Sequence, residues 1–398
     1  MKLQDYRLYS SLADLPSLQK WAEIDLGALR ANYRLLHHTL RSHSASARMI
    51  AVVKADAYGH GAPACVRALL LEGCDFFAVS CIEEAIAVRQ ICDEVGGDTE
   101  VLILGCTEPA MAATLSRHRL IQTIFSPCYA EKLAQSAEEA GVRLCVHIAV
   151  DTGMCRIGFP AHTEEEIAIS ANAILCAGKR RGLEIAGMYT HFARADEADA
   201  IGADFTGLQV GRYLELRARL EASGMRIPFH HVSNSAAFIA GRAPLLDGVR
   251  IGILLYGAQP ALQNGLFLTP VMRLRASIVH TYPLLPGECV GYGGEFSSDT
   301  ERKIAVLPIG YADGFLRAYS GAEVTVHTKT GSFCAPIVGR ICMDQCMIDI
   351  TDTDAEVGDM VTLFGDADSP AGMLAQRVGS IDYETLCLVS ARVKRVIC

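Results

Sequence analysis

MIAVVKADAYGHG, residues 49–61, is an apolar run that stops at Lys54 and passes into a glycine-bearing loop carrying Tyr58 and His60. A lysine at the end of a buried strand loses hydration, and desolvation lowers an ammonium pKa toward the range where the amine is a nucleophile. Lys54 is therefore a candidate for Schiff-base chemistry. The loop does not read G-x-G-x-x-G, the glycine fingerprint expected at the first turn of a doubly wound dinucleotide-binding sheet, and this counts against that architecture.

Outward from this run the pattern repeats. MIAVV (49–53) is followed by FFAV (76–79), EVLIL (100–104), QTIF (122–125), RLCVHIAV (143–150), EIAGMY (184–189), FHHV (229–232) and VRIG (249–252). Between them, segments such as 62–73 and 82–95 space their apolar residues as amphipathic helices do. Eight strand–helix units predict a closed (β/α)8 barrel of the TIM type. Ahead of it, residues 21–40 predict a strand and then a helix capped near Asp25. Beyond residue 270 the texture changes to short alternating runs broken by Gly, Pro and Asp, which predicts a β-rich second domain. Pro, Asn and Gly cluster in GAQPALQNG (257–265), so the expected division is a barrel over 1–262 and a β domain over 263–398.

Of the 398 residues 51% are hydrophobic, enough for a large core, and the formal net charge is −9. Nucleic acid and anionic membranes reward clustered Lys and Arg, so neither is an expected partner; a small molecule is. No apolar segment approaches membrane-spanning length, and the N-terminal residues lack a signal core. The fifteen cysteines are scattered through apolar strands and helices, which reads as reduced core thiols of a cytoplasmic protein. Cys342 and Cys346 have no second Cys or His pair at ligand spacing, so no metal is expected.

Barrel enzymes carry their chemistry where strands end. Here the first strand ends in Lys54, the fifth in Asp151-Thr152-Gly153-Met154 and then Arg156, and the sixth in Thr190-His191. The seventh ends in Ser233-Asn234-Ser235, and the eighth presents Arg250, Gly252 and Ile253. Loops after the last two strands commonly cradle phosphate on backbone N–H groups, which nominates Asn234, Ser235, Gly252 and Ile253. A Schiff-base lysine beside a phosphate cup, adjacent around a closed barrel, predicts pyridoxal 5′-phosphate (PLP). Singly, a strand-end lysine or a lone His191 is more often structural; the combination carries the reading.

VVKADAYGHG, VDTGMCRIGF, THFARADEAD, NSAA, RIGILLYG, GYGGEF, IGYADG and GRICMDQ, in that order, together resemble the alanine racemase family. The resemblance runs from about residue 20 to the C-terminus. It implies a PLP-binding barrel followed by a β domain, and a head-to-tail homodimer in which each active site is completed by the partner's β domain. It implies interconversion of L- and D-alanine, the D-isomer serving peptidoglycan. Lys54 then carries the cofactor and acts as a base on one face of the substrate, and Tyr292 of the neighbouring subunit is the base on the other. A free tyrosine has a pKa of about 10, so His191 and Arg156 are expected to help Tyr292 lose its proton.

By the same resemblance, Arg250 faces the cofactor's pyridine nitrogen, where a permanent cation disfavours ring protonation and suppresses side reactions. Tyr58, Ser235, Gly252 and Ile253 match phosphate contacts, with Asn234 and His191 beside the cofactor. Arg156 and the Met343 backbone match contacts to the substrate carboxylate. Asp196, Tyr311, Arg317 and Arg340 match positions that shape the entrance. Two positions depart from the family pattern. Ala149 replaces a lysine that is commonly carbamylated and positions the arginine, and Ala391 replaces the tyrosine of an SYRV motif, here SARV (390–393). The missing ring implies a wider pocket and leaves a serine or broad-specificity racemase as an alternative. A PLP decarboxylase would need a cysteine motif that is absent here. A non-catalytic PLP carrier resembles the barrel alone and lacks the β domain.

Overall fold

Asp25 ends one strand and starts one helix, because its carboxylate accepts the Ala28 N–H at 2.8 Å and satisfies an otherwise orphaned donor. In the computed structural model, which describes residues 18–258, 265–366 and 370–398, this cap joins β1 (Lys20–Ile24) to α1 (Leu26–His43). The barrel strands follow as β2 (Arg48–Val52), β3 (Phe76–Val79), β4 (Glu100–Ile103), β5 (Ile121–Ile124) and β6 (Leu144–Asp151). A two-residue β7 (Phe159–Pro160) lies beside β6, before β8 (Leu183–Thr190), β9 (Phe229–His231) and β10 (Gly248–Ile251).

The parallel order is β10-β2-β3-β4-β5-β6-β8-β9. The remaining seam is bridged by the Arg250 N–H donating to the Ser233 carbonyl at 2.9 Å, so the eight-stranded barrel is nearly closed. Each of the eight runs read from the sequence lies on one of these strands to within one residue at either end. Strands covered on both faces need apolar side chains on both, and β3 (FFAV) is buried at all four positions.

The C-terminal region adds β11 (Met272–Ser277), β12 (His280–Leu284), β13 (Cys289–Val290), β14 (Phe296–Ser297) and β15 (Arg302–Leu307). It continues with β16 (Glu323–His327), β17 (Ser332–Val338), β18 (Cys346–Asp349), β19 (Met360–Phe364) and β20 (Lys394–Ile397). Nine strands form one sheet in the order β12-β15-β18-β17-β16-β19-β11-β1-β20. The strand ahead of the barrel is thus not a barrel element: β1 pairs antiparallel with β11 and parallel with β20. Five residues of local pattern encode a strand but not its partner. The expected division at 262/263 lies within 259–264, outside the described residues.

All fifteen cysteines lie among the described residues, and none forms a disulfide. They are not mainly core residues, as the apolar context suggested: Cys65, Cys74, Cys92 and Cys346 are buried, whereas Cys106, Cys155, Cys387 and five others are exposed. Several sit on turns or on outward faces of helices, which an apolar average over neighbours does not reveal. Among the described residues no helix is long and apolar enough to cross a membrane.

Candidate active site

Lys54 does not lead into an ordinary loop. β2 ends at Val52, and Lys54 opens a single left-handed turn in which Ala55, Asp56, Ala57 and Tyr58 have φ values of 52°, 54°, 56° and 54°. This hand costs L-residues on the order of 1–2 kcal/mol each, so the turn must be clamped. The Ala55 N–H donates to Glu84 Oε1 and the Ala62 N–H to Asp56 Oδ1, both at 2.7 Å. Buried His60 directs Nδ1–H at the carbonyls of Ala57 and Tyr58, 2.8 and 3.0 Å away. Burial lowers its pKa to about 4, so the ring is neutral. From the β domain, Arg395 Nε donates to the Gly59 carbonyl at 2.9 Å. Gly59 has φ +81°, and a Cβ there would meet the Leu386 carbonyl oxygen at 2.6 Å. Residue spacing predicted a glycine-bearing connection but carries no sign of its hand.

The turn presents Lys54 to a cavity of about 460 Å³ over the C-terminal ends of the barrel strands. Nine residues nominated from the sequence line it: Lys54, Tyr58, Arg156, His191, Asn234, Ser235, Arg250, Gly252 and Ile253. Among the described residues, its charged lining residues are Lys54, Arg156 and Arg250, and no carboxylate is among them. In a chain of net charge −9, three cations without an acid make a site for anionic groups. Burial, and secondly the Arg156 charge, lower the Lys54 pKa below that of a free amine. Burial, with Arg250 and then Arg156 adding to it, lowers His191 to about 3, so this imidazole is neutral.

Arg250 forms the rigid floor. Its Nη2 donates to the carbonyls of Thr190 and Val232 at 2.6 and 3.1 Å, and its Nη1 to the His231 carbonyl at 2.5 Å. Nη1 also lies 2.9 Å from His231 Nδ1. A guanidinium only donates, so His231 Nδ1 must accept, and its Nε2–H then donates to His147 Nδ1 at 3.0 Å. Both rings are held neutral, chiefly by burial: His147 is lowered to about 3 and His231 well below its usual range. The Tyr189 ring lies 5.0 Å from the guanidinium carbon. Burial lowers Arg250 to about 10, which still leaves it charged at neutral pH. His147, His231 and Tyr189 were missed from sequence because they read as ordinary interior strand residues. Gly187, a glycine inside a strand, marks a close approach in the sequence without naming its partner; a Cβ there would meet the His147 ring at 2.5 Å.

At the far rim the Gly252 N–H donates to Ser235 Oγ at 2.9 Å, and a Cβ on Gly252 would stand 2.4 Å from Tyr58 Oη. Only a glycine lets the backbone approach this hydroxyl. Burial raises the Tyr58 pKa, so the hydroxyl stays a neutral donor. Asn234 works structurally, accepting the Ala237 N–H at 2.9 Å.

Other nominated residues lie elsewhere. Tyr292, Met343 and Tyr311 are 70%, 54% and 42% exposed, and none lines the cavity of its own chain. Arg340 pairs with Glu295, and Arg317 opens a short 3-10 turn (Arg317–Tyr319). Asp196 lines a second cavity of about 640 Å³, which shares the wall residue Tyr383 with the first. Ala149 is buried on the cavity wall, and Arg156 has no hydrogen bond or ion pair among the described residues. Ala391 is exposed and does not line the cavity; the C-terminal ring that does is Tyr383, 6.0 Å from the Tyr58 ring. Tyr383 was missed because it lies more than 300 residues from Lys54 and outside every motif.

Models of the alanine racemase N-terminal and C-terminal domains match residues 24–260 and 271–397. The chain belongs to the alanine racemase family. It is 39% identical over 384 residues to alanine racemase 1 of Clostridium acetobutylicum, covering 94% of each chain. It is 40% identical over 380 residues to the alanine racemase of Desulfovibrio desulfuricans, covering 94% of this chain and 97% of that one. The solved alanine racemase of Clostridium difficile 630 superposes with a TM-score of 0.86 at 37% identity over 96% of both chains. That of Bacillus anthracis with bound L-Ala-P gives 0.84 at 30% identity, covering 96% of this chain and 95% of that one. A further structure, of the C. difficile enzyme in complex with cycloserine, gives a TM-score of 0.84. The chain is accordingly an isomerase of the racemase class, and the match to both domain models sets it apart from an isolated barrel.

Proposed function

We propose that the protein is a PLP-dependent alanine racemase of the cytoplasm that works as a head-to-tail homodimer and supplies D-alanine for peptidoglycan. The observation that carries this reading is the cavity charge: among the described residues, a desolvated amine, two guanidiniums and no carboxylate stand around one small space. A phosphorylated cofactor and an amino-acid carboxylate are the anions that such a set would hold. Because a Cβ at Gly252 would collide with the Tyr58 hydroxyl, glycine keeps this hydroxyl and the Gly252 backbone together on the cavity lining beside Ser235, a set of small and hydroxyl-bearing residues that fits the cofactor's phosphate. When bound, PLP supplies an electron sink that acidifies the α-C–H of an attached amino acid.

The chain's own residues divide the remaining work. Tyr58, Ser235, Gly252 and Ile253 would hold the phosphate, and Lys54 would carry the cofactor. Arg250, pinned by three carbonyls and a neutral imidazole, would offer a fixed positive charge to the cofactor's ring nitrogen and so disfavour its protonation. Arg156 would hold the substrate carboxylate. Lys54 Nζ, its basicity lowered by burial, takes or returns the α-proton on one face. Inversion requires a second group on the opposite face, and Tyr292 is the candidate. Tyr292, Met343 and Tyr311 stand exposed on the β domain, which supports their insertion into the cavity of a second copy.

Subunit complementation tests both the bases and the dimer. Lys54→Ala and Tyr292→Phe homodimers should each be nearly inactive, the first without the cofactor's imine absorbance and the second with it. Refolded together in equal amounts, half the dimers are mixed and each has one intact site, so about a quarter of wild-type activity should return. No recovery, with mixed dimers verified, would place Tyr292 and Lys54 in the same chain's site or remove Tyr292 from the mechanism.

A further inference from the structure

Three side chains of metal-ligating type meet beside the cavity, not in it. Asp151 ends β6, Cys155 lies in the loop that leads to Arg156, and His162 lies between β7 and the helix Glu164–Gly178. Their ligand atoms, an oxygen, a sulfur and a ring nitrogen, are all within 4.8 Å of one another. No sequence motif joins them; the fold does.

His162 Nε2 is shut from solvent without a hydrogen bond, although it stands 3.3 Å from an Asp151 oxygen. The two atoms are close but out of line for a hydrogen bond. On the other side of the ring, the Glu166 carboxylate lies 3.8 Å from Nδ1, and its oxygen is fixed by the His162 and Thr163 N–H groups at 2.8 and 3.2 Å. Carboxylate oxygens therefore stand near both ring nitrogens, that of Asp151 the nearer. Asp151 is itself held in place, since its Oδ1 accepts the N–H groups of Gly153 and Cys155, both at 3.0 Å. Those bonds turn the loop back and return the Cys155 thiol to the carboxylate.

We propose that Asp151, Cys155 and His162 bind a divalent transition-metal ion of the zinc type, with water in the fourth position. Zinc bonds of about 2.0–2.3 Å in a tetrahedron place neighbouring ligand atoms about 3.3–3.8 Å apart. The Asp151–His162 separation already has that value, and the exposed Cys155 side chain has only to swing inward by about 1 Å. On binding, the hydrated ion exchanges three waters for oxygen, nitrogen and sulfur, the thiol releases one proton to solvent, and no oxidation state changes. The mixed donor set matches zinc better than calcium or magnesium, which take oxygen.

The test uses the full-length, PLP-loaded enzyme stripped of metal and titrated with Zn²⁺ against a chromogenic chelator, as wild type, Cys155→Gly and His162→Gln. Glycine suits the Cys155 backbone, whose φ is 54°, so that variant keeps the loop. Wild type should bind one tight equivalent per chain that both variants lose or bind at least tenfold more weakly, and that equivalent should weaken as pH falls. Zinc-edge absorption should show a single sulfur among nitrogen and oxygen neighbours. Equal stoichiometry and affinity in all three proteins, or two or more sulfurs at the zinc, would overturn the proposal and leave His162 and Asp151 as an ordinary ion pair. The readout is metal and not turnover, so it stands or falls apart from the racemase reading.

Discussion

Gly187→Ala is the sharpest probe of how the cavity floor is held. A Cβ at this position would lie 2.5 Å from His147 Cε1 and Nε2 and 2.6 Å from Cδ2. Ordinary contact begins near 3.4 Å, so the methyl intrudes by roughly 0.9 Å on three atoms of a rigid ring. The ring has little room to retreat, since Phe76 and Phe229 flank it with centroids 6.1 Å away and Nδ1 is bonded to His231. Overpacking of this kind costs about 1–3 kcal/mol. If His147 yields, His231 Nε2–H is left buried and unpaired, for about 1–3 kcal/mol more.

The expected loss is therefore about 2–6 kcal/mol, read as a lower urea midpoint at saturating PLP. PLP affinity should fall with it, because the His231 ring that orients Arg250 is no longer held. Adding His147→Ala removes the clashing ring. The double variant should be more stable than the sum of the single losses by at least about 1 kcal/mol. A Gly187→Ala protein with the wild-type midpoint, or strictly additive losses in the double variant, would refute the coupling of Gly187, His147 and Arg250.

Acid should destabilise the protein through its buried imidazoles. With folded pKa values of about 4 for His60 and about 3 for His147, against 6.5 when unfolded, the unfolded chain binds more protons between those limits. Stability thus falls as pH drops below about 6.5, by up to about 1.4 kcal/mol per pH unit for each ring. Urea unfolding from pH 8 to pH 4 checks this, and a His60→Gln variant with an unchanged slope would exclude that ring as a source. The pocket wall is tested by offering serine and alanine to Tyr383→Ala and Ala391→Gly and following both enantiomers by chiral chromatography. Tyr383→Ala should raise serine relative to alanine turnover several-fold, whereas Ala391→Gly should leave the ratio near wild type; the reverse would restore Ala391 as the specificity position.

The barrel was legible because parallel strands buried on both faces must be apolar runs, and eight such runs were there to be counted. Lys54, Arg156, His191, Ser235 and Arg250 were legible because the loops after barrel strands gather at one end, whatever their order in the chain. The partner of β1 was not legible, since pairing with β11 and β20 depends on residues some 250 and 370 positions away. Nor was the His231–His147 support under Arg250. Its members look like any residues of an interior strand, and only register places His147 opposite Gly187.

By itself the sequence determined the order of elements and the chemical inventory: a lysine after the first barrel strand, an arginine on the last, and small residues where a backbone must approach an anion. These follow from local periodicity and from strand ends converging. Tertiary structure alone decided the left-handed turn that presents Lys54, the neutral state of His60, His147 and His191, and a cavity lining whose described charged residues are all cationic. It also decided that Tyr383, and not position 391, stands at the wall. Hand, protonation and proximity depend on burial and on contacts between distant segments, and the linear order of residues does not contain them.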